Sequence, residues 1–451
     1  MYGADWSSPG FVAVERYNAG QVRAATDETD GGSTLRGAAH ARYSAPLGSS
    51  AALQATGWIQ ASTWELFLNL PGHDGGGQTR EEDERVGGGV EVELTRPLGS
   101  QEVTFGLAAR ADDASYMLDD SEARRVIGSE VALEGRQLLG SAYGRWRRTA
   151  GRIGLDFGGR VDALDRSSLD RLDTEAARTS AGSVVLSPKA GARYAVTSDV
   201  ALLTSLSRGF RNAVGVLGDP DRPPILAWAG EVGADLRRGP VEATLALFRL
   251  DVSNERTLDP VTRSISSAGE SVRQGLDARA RLQLARRLSL HAAATWNDAR
   301  LTGRPADAHE EPGGGAAVPA GGGAEAGAIK KVRGSVRTAH DEPDLGERVP
   351  GVARYTGFVG AEAIPTDGLE TSATLRFTGA YAPIGEPDIR TRAHAILDLA
   401  AGLELGRGAR LELELQNALG ARYPELRASG FVTPGDPRTL RAALRLETPG
   451  T

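Results

Sequence analysis

The sequence predicts an all-β fold, an antiparallel transmembrane β-barrel, and three observations carry this prediction. Strand-like runs between about residue 34 and residue 448 are joined alternately by very short and by long connectors. Apolar and charged residues alternate along these runs. The 451-residue chain has no stretch that approaches the roughly 20 consecutive apolar residues of a membrane helix, so it would cross a bilayer with strands.

The connectors differ between the two ends of the predicted strands. Short turns recur at Pro46–Ser50, Pro97–Gln101, Thr149–Arg152, Thr197–Asp199, Arg237–Pro240, Ala285–Arg287, Pro365–Gly368 and Gly406–Ala409. Between them lie longer polar loops that are rich in Gly and Pro. Tight turns on one rim and extended loops on the other are typical of outer-membrane barrels, which have short periplasmic turns and long extracellular loops.

The alternation of apolar and charged residues is clearest late in the chain. In Arg410–Gln416, three leucines alternate with Glu412, Glu414 and Gln416. In Leu276–Leu284, apolar residues alternate with polar ones that include Arg279 and Arg281. Because successive side chains leave a strand on opposite faces, one face is apolar and the other is charged. A soluble β-sandwich has the same period, so this pattern alone predicts strands rather than a membrane protein.

The number and length of the runs favour the barrel over the sandwich. About 17 runs are present, most of roughly 10 to 16 residues, which exceeds the usual strand length in soluble sheets and suits tilted spans. Aromatic residues such as Trp58, Trp296 and Tyr423 fall mostly toward predicted strand ends, as the aromatic girdles of barrels do.

Composition argues against several other classes of protein. The net charge is −7 and the basic residues are scattered, so no positive stripe predicts nucleic-acid binding. The chain has no cysteine, which excludes disulfides, thiol catalysis and thiolate metal sites. Its first residues, Met1–Trp6, have neither the basic nor the apolar segment of an export signal.

The direction of the runs predicts how the chain begins. The first run, near Thr34–Ala45, and the last, Pro437–Glu447, both enter from the loop side, so their number is odd. Single-chain bacterial barrels have an even number of strands. We therefore expect residues 1–33 to be the remnant of a preceding strand with its outer loop, residues 34–448 to hold the strands, and residues 1–451 to be the C-terminal part of a longer protein.

Several short motifs, in their order and spacing, resemble those of one known family. They are Asp5–Gly10, Ser187–Gly191 followed by Ser207–Arg211, Phe248–Glu255 followed by Gly269–Asp277, Val349–Val352, Gln416–Tyr423 and Pro434–Thr439. With these motifs the chain resembles the TonB-dependent outer-membrane receptors, plugged barrels of 22 strands. The resemblance implies that about 17 of the 22 strands are present and that the first five strands and the plug domain are absent.

The resemblance implies a transporter rather than an enzyme. We expect uptake of a scarce solute, a ferric siderophore or similar chelate, across the cell outer membrane of a Gram-negative bacterium. The implied partners are outer-membrane lipid, the TonB complex acting through the plug region, and an extracellular chelate or small solute, with the barrel a monomer. The last strand runs into Leu446–Thr451 rather than ending in an aromatic residue, which departs from the family pattern.

Candidate site residues follow from this implied function. Arginine would pair with an anionic chelate and aromatic rings would stack on its flat groups. The candidate ligand contacts at the extracellular ends are Trp64, Phe67, Tyr116, Arg208, Arg211, Trp228 and Tyr381. The candidate plug-facing residues of the lumen are Arg279, Arg281, Asp398, Glu404, Glu412 and Glu414. Girdle packing and a hydrated lumen wall are the alternative interpretations of the two sets.

Other functions have less support in the sequence. The six histidines show no close ligand spacing, so we expect no metal site, and we expect no cofactor and no catalytic residue. A passive porin or surface adhesin is the alternative, in which the long Gly-rich loop at residues 303–349 would be the working part. An outer-membrane hydrolase would need a Ser/His constellation, for which Ser289 and His291 are the nearest pair in sequence.

Overall fold

The computed structural model describes residues 1–8, 10–21, 27–48, 50–70, 77–212, 217, 219–258, 265–303, 346–406 and 408–446. Nearly all of the predicted loop at residues 303–349 lies outside these ranges, as do the positions of His73, His309 and His340. No helix in the described part of the chain is long and apolar enough to cross a membrane.

The described residues form strands joined by turns, with one helix of a single turn and a half. The elements are β1 Tyr2–Ser7, β2 Val12–Ala13, α1 Val14–Asn18, β3 Gly31–Leu47, β4 Ala51–Leu70, β5 Gly77–Leu98, β6 Gln101–Glu122, β7 Arg125–Ala150, β8 Ile153–Asp170, β9 Thr179–Ala195, β10 Val200–Arg211, β11 Ile225–Arg238, β12 Val241–Leu258, β13 Ile265–Ala285, β14 Leu288–Gly303, β15 Tyr355–Thr366, β16 Leu369–Thr378, β17 His394–Gly406, β18 Ala409–Gln416, β19 Pro424–Ala428, β20 Phe431–Pro434 and β21 Thr439–Leu446.

One antiparallel sheet of 18 strands contains most of the chain. From β3 to β18 each strand pairs with the next in sequence, β1 pairs with β3, and β18 pairs with β21. From β3 onward this sheet has 17 strands, which agrees with the number predicted from the sequence. Tyr2–Ser7 adds a further strand, while the division at residue 33 stays a prediction.

The two faces of this sheet differ as the alternation predicted. Val232 of β11 lies opposite Leu247 of β12, and both side chains are 61% exposed. Their neighbours in sequence, Glu231 and Phe248, are also opposite each other and point to the other side. The large apolar residues of the first face are exposed rather than buried between layers, which is expected for a single-layer barrel and not for a sandwich. We call the two sides the apolar face and the polar face.

The short turns all lie at one end of the strands, which we call the turn end. Each predicted turn, from the Leu47–Ala51 connection to the Gly406–Ala409 connection, joins two paired strands there. The other end, the loop end, departs from the predicted alternation at one place. There β6 and β7 are joined by a two-residue turn, Ala123–Arg124, with φ values of 48° and 65°. These strands are also longer than predicted, since β7 has 26 residues.

The two edges of the sheet stay apart along most of their length. No hydrogen-bonded ladder among the described residues joins β21 to β3 or to β1. Both β3 and β21 run from the loop end to the turn end, so direct pairing between them would be parallel in an otherwise antiparallel sheet. The apolar residues of β21, such as Leu440 and Leu446, are exposed.

A small second sheet at the loop end links the two edges. In it β2, which follows β1, pairs with β20, and β20 pairs with β19. Val14 N donates to Gly430 O at 3.0 Å. The loop between β16 and β17 joins this layer through Arg427, whose Nε and Nη2 donate to Glu386 at 2.8 and 3.0 Å. We call β2, α1, β19, β20 and residues 379–393 the clasp.

The clasp depends on its ion pair. The side chains of Arg427 and Glu386 are 16% and 11% exposed, and the hydrogen bonds that Arg427 donates to Glu386 raise the pKa of Arg427 above its ordinary value. We expect Arg427→Met to weaken the clasp by about 2 kcal/mol, because hydrogen bonds between charged groups are lost. Hydrogen exchange of the β20 amides measures this as faster local opening.

A matched control for the clasp is Arg287→Met, which breaks an exposed pair with Asp367 at the turn end. Exposed pairs contribute about 0–1 kcal/mol, so β20 exchange should stay as in the unaltered chain. Equal exchange of β20 in both variants would contradict a structural role for the Arg427 pair.

Candidate functional site

The polar face carries paired charges along the middle of the sheet. On β7 and β8, Arg145 Nε donates to Asp156 at 2.9 Å and Arg160 Nε donates to Asp162 at 2.7 Å. Ser141 Oγ donates to the same Asp162, which is buried, at 2.6 Å. Ser141 and Asp162 are direct register partners, so both leave the sheet on one side. The side chains of this face therefore form a network of hydrogen bonds and ion pairs.

Glycines on the polar face make room for large side chains of the adjacent strand. Tyr143 of β7 lies across Gly106 of β6, where an added Cβ would come within 2.1 Å of the tyrosine ring. In this position the Tyr143 hydroxyl donates to Glu91 at 2.7 Å and to Glu93 at 3.1 Å on the strand beyond. Sequence reasoning missed this group, because only the register brings Tyr143 to the two glutamates.

Two of the predicted ligand contacts lie in one row near the loop end. Trp64 is opposite Asp83, and Asp83 is opposite Tyr116, so the three side chains share the polar face. The guanidinium of Arg85 donates to both oxygens of Asp83, at 2.6 and 2.7 Å. The Tyr116 hydroxyl donates to Glu81 at 3.3 Å. This row offers aromatic rings beside charged groups, which suits a flat, charged solute.

Phe67 has a different environment from the one expected of a ligand contact. It is only 7% exposed, and the guanidinium of Arg124 covers its ring at 5.4 Å from the centroid. Arg124 is held there because its Nε donates to Thr29 O at 2.6 Å. The ring of Phe67 therefore packs the loop end of the sheet beneath an arginine from the turn between β6 and β7.

Arg208 and Trp228 lie on the apolar face. They are opposite each other on β10 and β11, with the Arg208 guanidinium 6.0 Å from the Trp228 ring. Both have the parity of exposed apolar residues, Leu206 on β10 and Val232 on β11. This placement is that of girdle residues, so these two predicted ligand contacts have the least structural support.

Arg211 and Tyr381 remain as candidates at the loop end. Arg211 ends β10, is exposed, and lies opposite Ile225. Tyr381 lies in the clasp, where its N donates to Thr391 Oγ1 at 3.0 Å and burial raises the pKa of its hydroxyl. Their roles as ligand contacts stay predictions, as do those of Trp64 and Tyr116.

All of the predicted plug-facing residues lie on the polar face. Glu404 lies opposite Arg410 in the register of β17 and β18. The carboxylate of Asp398 accepts a hydrogen bond from Arg376 Nε at 2.8 Å. Arg281, Glu412 and Glu414 line a cavity of about 780 Å³ near the turn end. Arg279 lies two residues before Arg281 on the same side of β13 and donates to Asp277 at 3.2 Å. Contact with a plug stays a prediction.

The described residues offer little for metal or hydrolytic chemistry. No group of His, Asp and Glu in the ranges that the structure describes is arranged to hold a metal ion. Ser289 Oγ donates to Glu362 at 3.3 Å, and His291 packs edge-on against Phe358 at 5.7 Å between ring centroids. Both residues thus contact side chains of the neighbouring strand β15.

A family model described as "TonB dependent receptor-like, beta-barrel" matches residues 2–418. No curated protein sequence matches this chain. With the antiparallel sheet described above, the family match confirms the predicted fold class.

Several solved structures have the same fold. The ferric citrate transporter FecA in its unliganded form superposes with a TM-score of 0.74 at 14% identity, over 96% of this chain and 64% of that one. The ferric yersiniabactin receptor FyuA from Yersinia pestis gives 0.71 at 13%, over 91% and 61%. The siderophore receptor PiuA from Acinetobacter baumannii gives 0.71 at 14%, over 92% and 64%. The chain spans less than two thirds of the length of each.

Proposed function

Because the chain belongs to the TonB-dependent receptor β-barrel family, we propose that it forms the barrel wall of an outer-membrane transporter for a scarce solute. The observation that carries this proposal is the single-layer antiparallel sheet, apolar on one face and charged on the other, over the residues that match the family. The apolar face would contact outer-membrane lipid and the polar face would surround the path of the solute.

The solute we propose is a ferric siderophore or a similar chelate. The ferric citrate, ferric yersiniabactin and siderophore proteins of the same fold support this class, at identities that by themselves show only the fold. On this chain the row of Trp64, Asp83 and Tyr116 would meet the chelate at the loop end, with Arg211 near it. The barrel performs no covalent chemistry in this proposal.

The energy for uptake would come from the TonB complex, acting through the plug region that the family carries ahead of its barrel. The charged cavity lined by Arg281, Glu412 and Glu414 would face that plug. We propose a monomer in the outer membrane of a Gram-negative bacterium.

No structural observation favours the passive porin or adhesin alternative, and nearly all of its proposed working loop lies outside the described residues. The deciding experiment is uptake of radiolabelled iron chelates by cells carrying the gene with its complete upstream reading frame. Uptake that disappears when TonB is deleted is the expected result. Entry that is independent of TonB and proportional to solute concentration would instead show a porin.

A further inference from the structure

Arg166 of β8 is a buried arginine that lacks a carboxylate partner. Arg166 is 7% exposed, and no carboxylate of the described residues lies within ion-pair distance of its guanidinium. Its Nη1 donates to the carbonyl of Arg222 at 3.0 Å, and its Nε is buried with no hydrogen-bond partner. The guanidinium of Arg166 has five donor hydrogens, and the neutral carbonyl of Arg222 accepts one of them.

Two more buried polar atoms without hydrogen-bond partners belong to residues around Arg166 on the polar face. Gln137 lies directly opposite Arg166 and accepts a hydrogen bond from Asn212 Nδ2, while Asn212 Oδ1 is buried without a partner. On the other side, Arg166 is opposite Ala181 of β9, so Ser183 is its diagonal neighbour on the same face. Ser183 Oγ is also buried without a partner.

Two nearby arginines of this wall are satisfied by acids. Arg145 has Asp156 and Arg160 has Asp162, each at hydrogen-bond distance. Burying a charged group without an opposite charge is costly, and buried polar atoms in native proteins nearly always have partners. The unsatisfied donors at Arg166 and Ser183 are therefore complementary to a negatively charged group that comes from outside the described chain.

We propose that Arg166, Ser183 and Asn212 form a binding site for a small oxyanion, a carboxylate or phosphate group of a solute. An oxyanion would accept hydrogen bonds from the guanidinium and from the Ser183 hydroxyl, in place of the neutral Arg222 carbonyl. Charge-assisted hydrogen bonds are roughly twice as strong as neutral ones, which favours the exchange. The Asn212 oxygen is left to accept a hydroxyl or N–H hydrogen of the same solute.

This inference rests on the proposed transport function and narrows its solute to an anionic one, bound near the loop end of β8. The test is titration of the detergent-solubilised chain with citrate and with inorganic phosphate, followed by calorimetry. We expect Arg166→Gln to weaken binding about tenfold or more, since a charge-assisted contact is lost. Arg193→Gln, which removes the same charge near the turn end of β9 on the same face as Ser183, should leave the affinity unchanged.

A second variant protects the test against misfolding. Ser183→Ala removes only the hydroxyl, and we expect it to weaken binding several-fold while the chain keeps its folded, heat-modifiable band on gels. The proposal is overturned if the unaltered chain binds neither anion, or if Arg166→Gln and Arg193→Gln reduce affinity equally. TonB-dependent uptake that survives Arg166→Gln would sink this site and leave the proposed function standing.

Discussion

Arginine in place of Leu247 is expected to destabilise the bilayer-inserted chain by about 2–4 kcal/mol, the cost of a cation on the lipid face of a barrel near the midplane. Leu247 lies in the middle of β12, is 61% exposed, and faces the same side as Val232 and Leu276 on the flanking strands. Urea unfolding of the chain in lipid vesicles measures the loss.

The matched control is the next residue, Ala246→Arg. Ala246 points to the polar face, beside Glu231 and Gly233 in a cavity of about 510 Å³ that has room for the longer side chain. We expect a change below about 1 kcal/mol there, because an exposed charge in a hydrated lumen costs little. Equal losses at both positions, or a loss only at Ala246, would contradict the assignment of the two faces.

Sequence reasoning succeeded where the physical signal is local. Alternation in Arg410–Gln416 predicted which side each residue of β18 faces, because the strand period of two needs no knowledge of the neighbouring strands. The turns predicted at Pro46–Ser50 and Arg237–Pro240 also depend on a local signal. Glycine with positive φ supplies the tight backbone there, as Gly48 and Gly239 show with φ values of 65° and 56°.

The turn between β6 and β7 escaped prediction because its residues carry no turn signal. Ala123 and Arg124 adopt positive φ, the conformation of a type I′ turn, without the Asn-Gly or Asp-Gly pair that usually marks it. Its cost is offset by contacts that sequence does not show. Arg124 covers Phe67, and its backbone N donates to Gln78 at 2.7 Å.

The candidate site residues show the same difference between placements that follow from local sequence and placements that depend on distant residues. The side on which Arg281 or Glu412 lies follows from parity with nearby leucines, and the structure agrees. Parity with Leu206 also places Arg208 on the apolar face, so this signal was available in the sequence. In contrast, the burial of Phe67 depends on Arg124, 57 positions away, and the isolation of Arg166 depends on three strands in register.

Gly275→Ala is expected to cost at least about 3 kcal/mol and to prevent most of the chain from reaching its folded form, because overpacking here cannot relax. A Cβ on Gly275 would lie 1.9 Å from the carbonyl oxygen of Trp296 and 2.7 Å from the ring of Phe248. The first contact is with the backbone that pairs β13 with β14, so relief requires breaking that ladder. The folded fraction is measured by the heat-modifiable band after insertion into vesicles.

Gly209→Ala is the control, since an added Cβ at Gly209 meets nothing within 4 Å. There the same substitution should be neutral or stabilise the chain by about 0.4–1 kcal/mol, because alanine restricts the unfolded chain more than glycine does. The contrast separates the space at each glycine from the general effect of replacing one. If Gly275→Ala folded as well as Gly209→Ala, the close approach of Gly275 to Trp296 of β14 and to Phe248 of β12 would be wrong, and with it the register of β13 against these two strands.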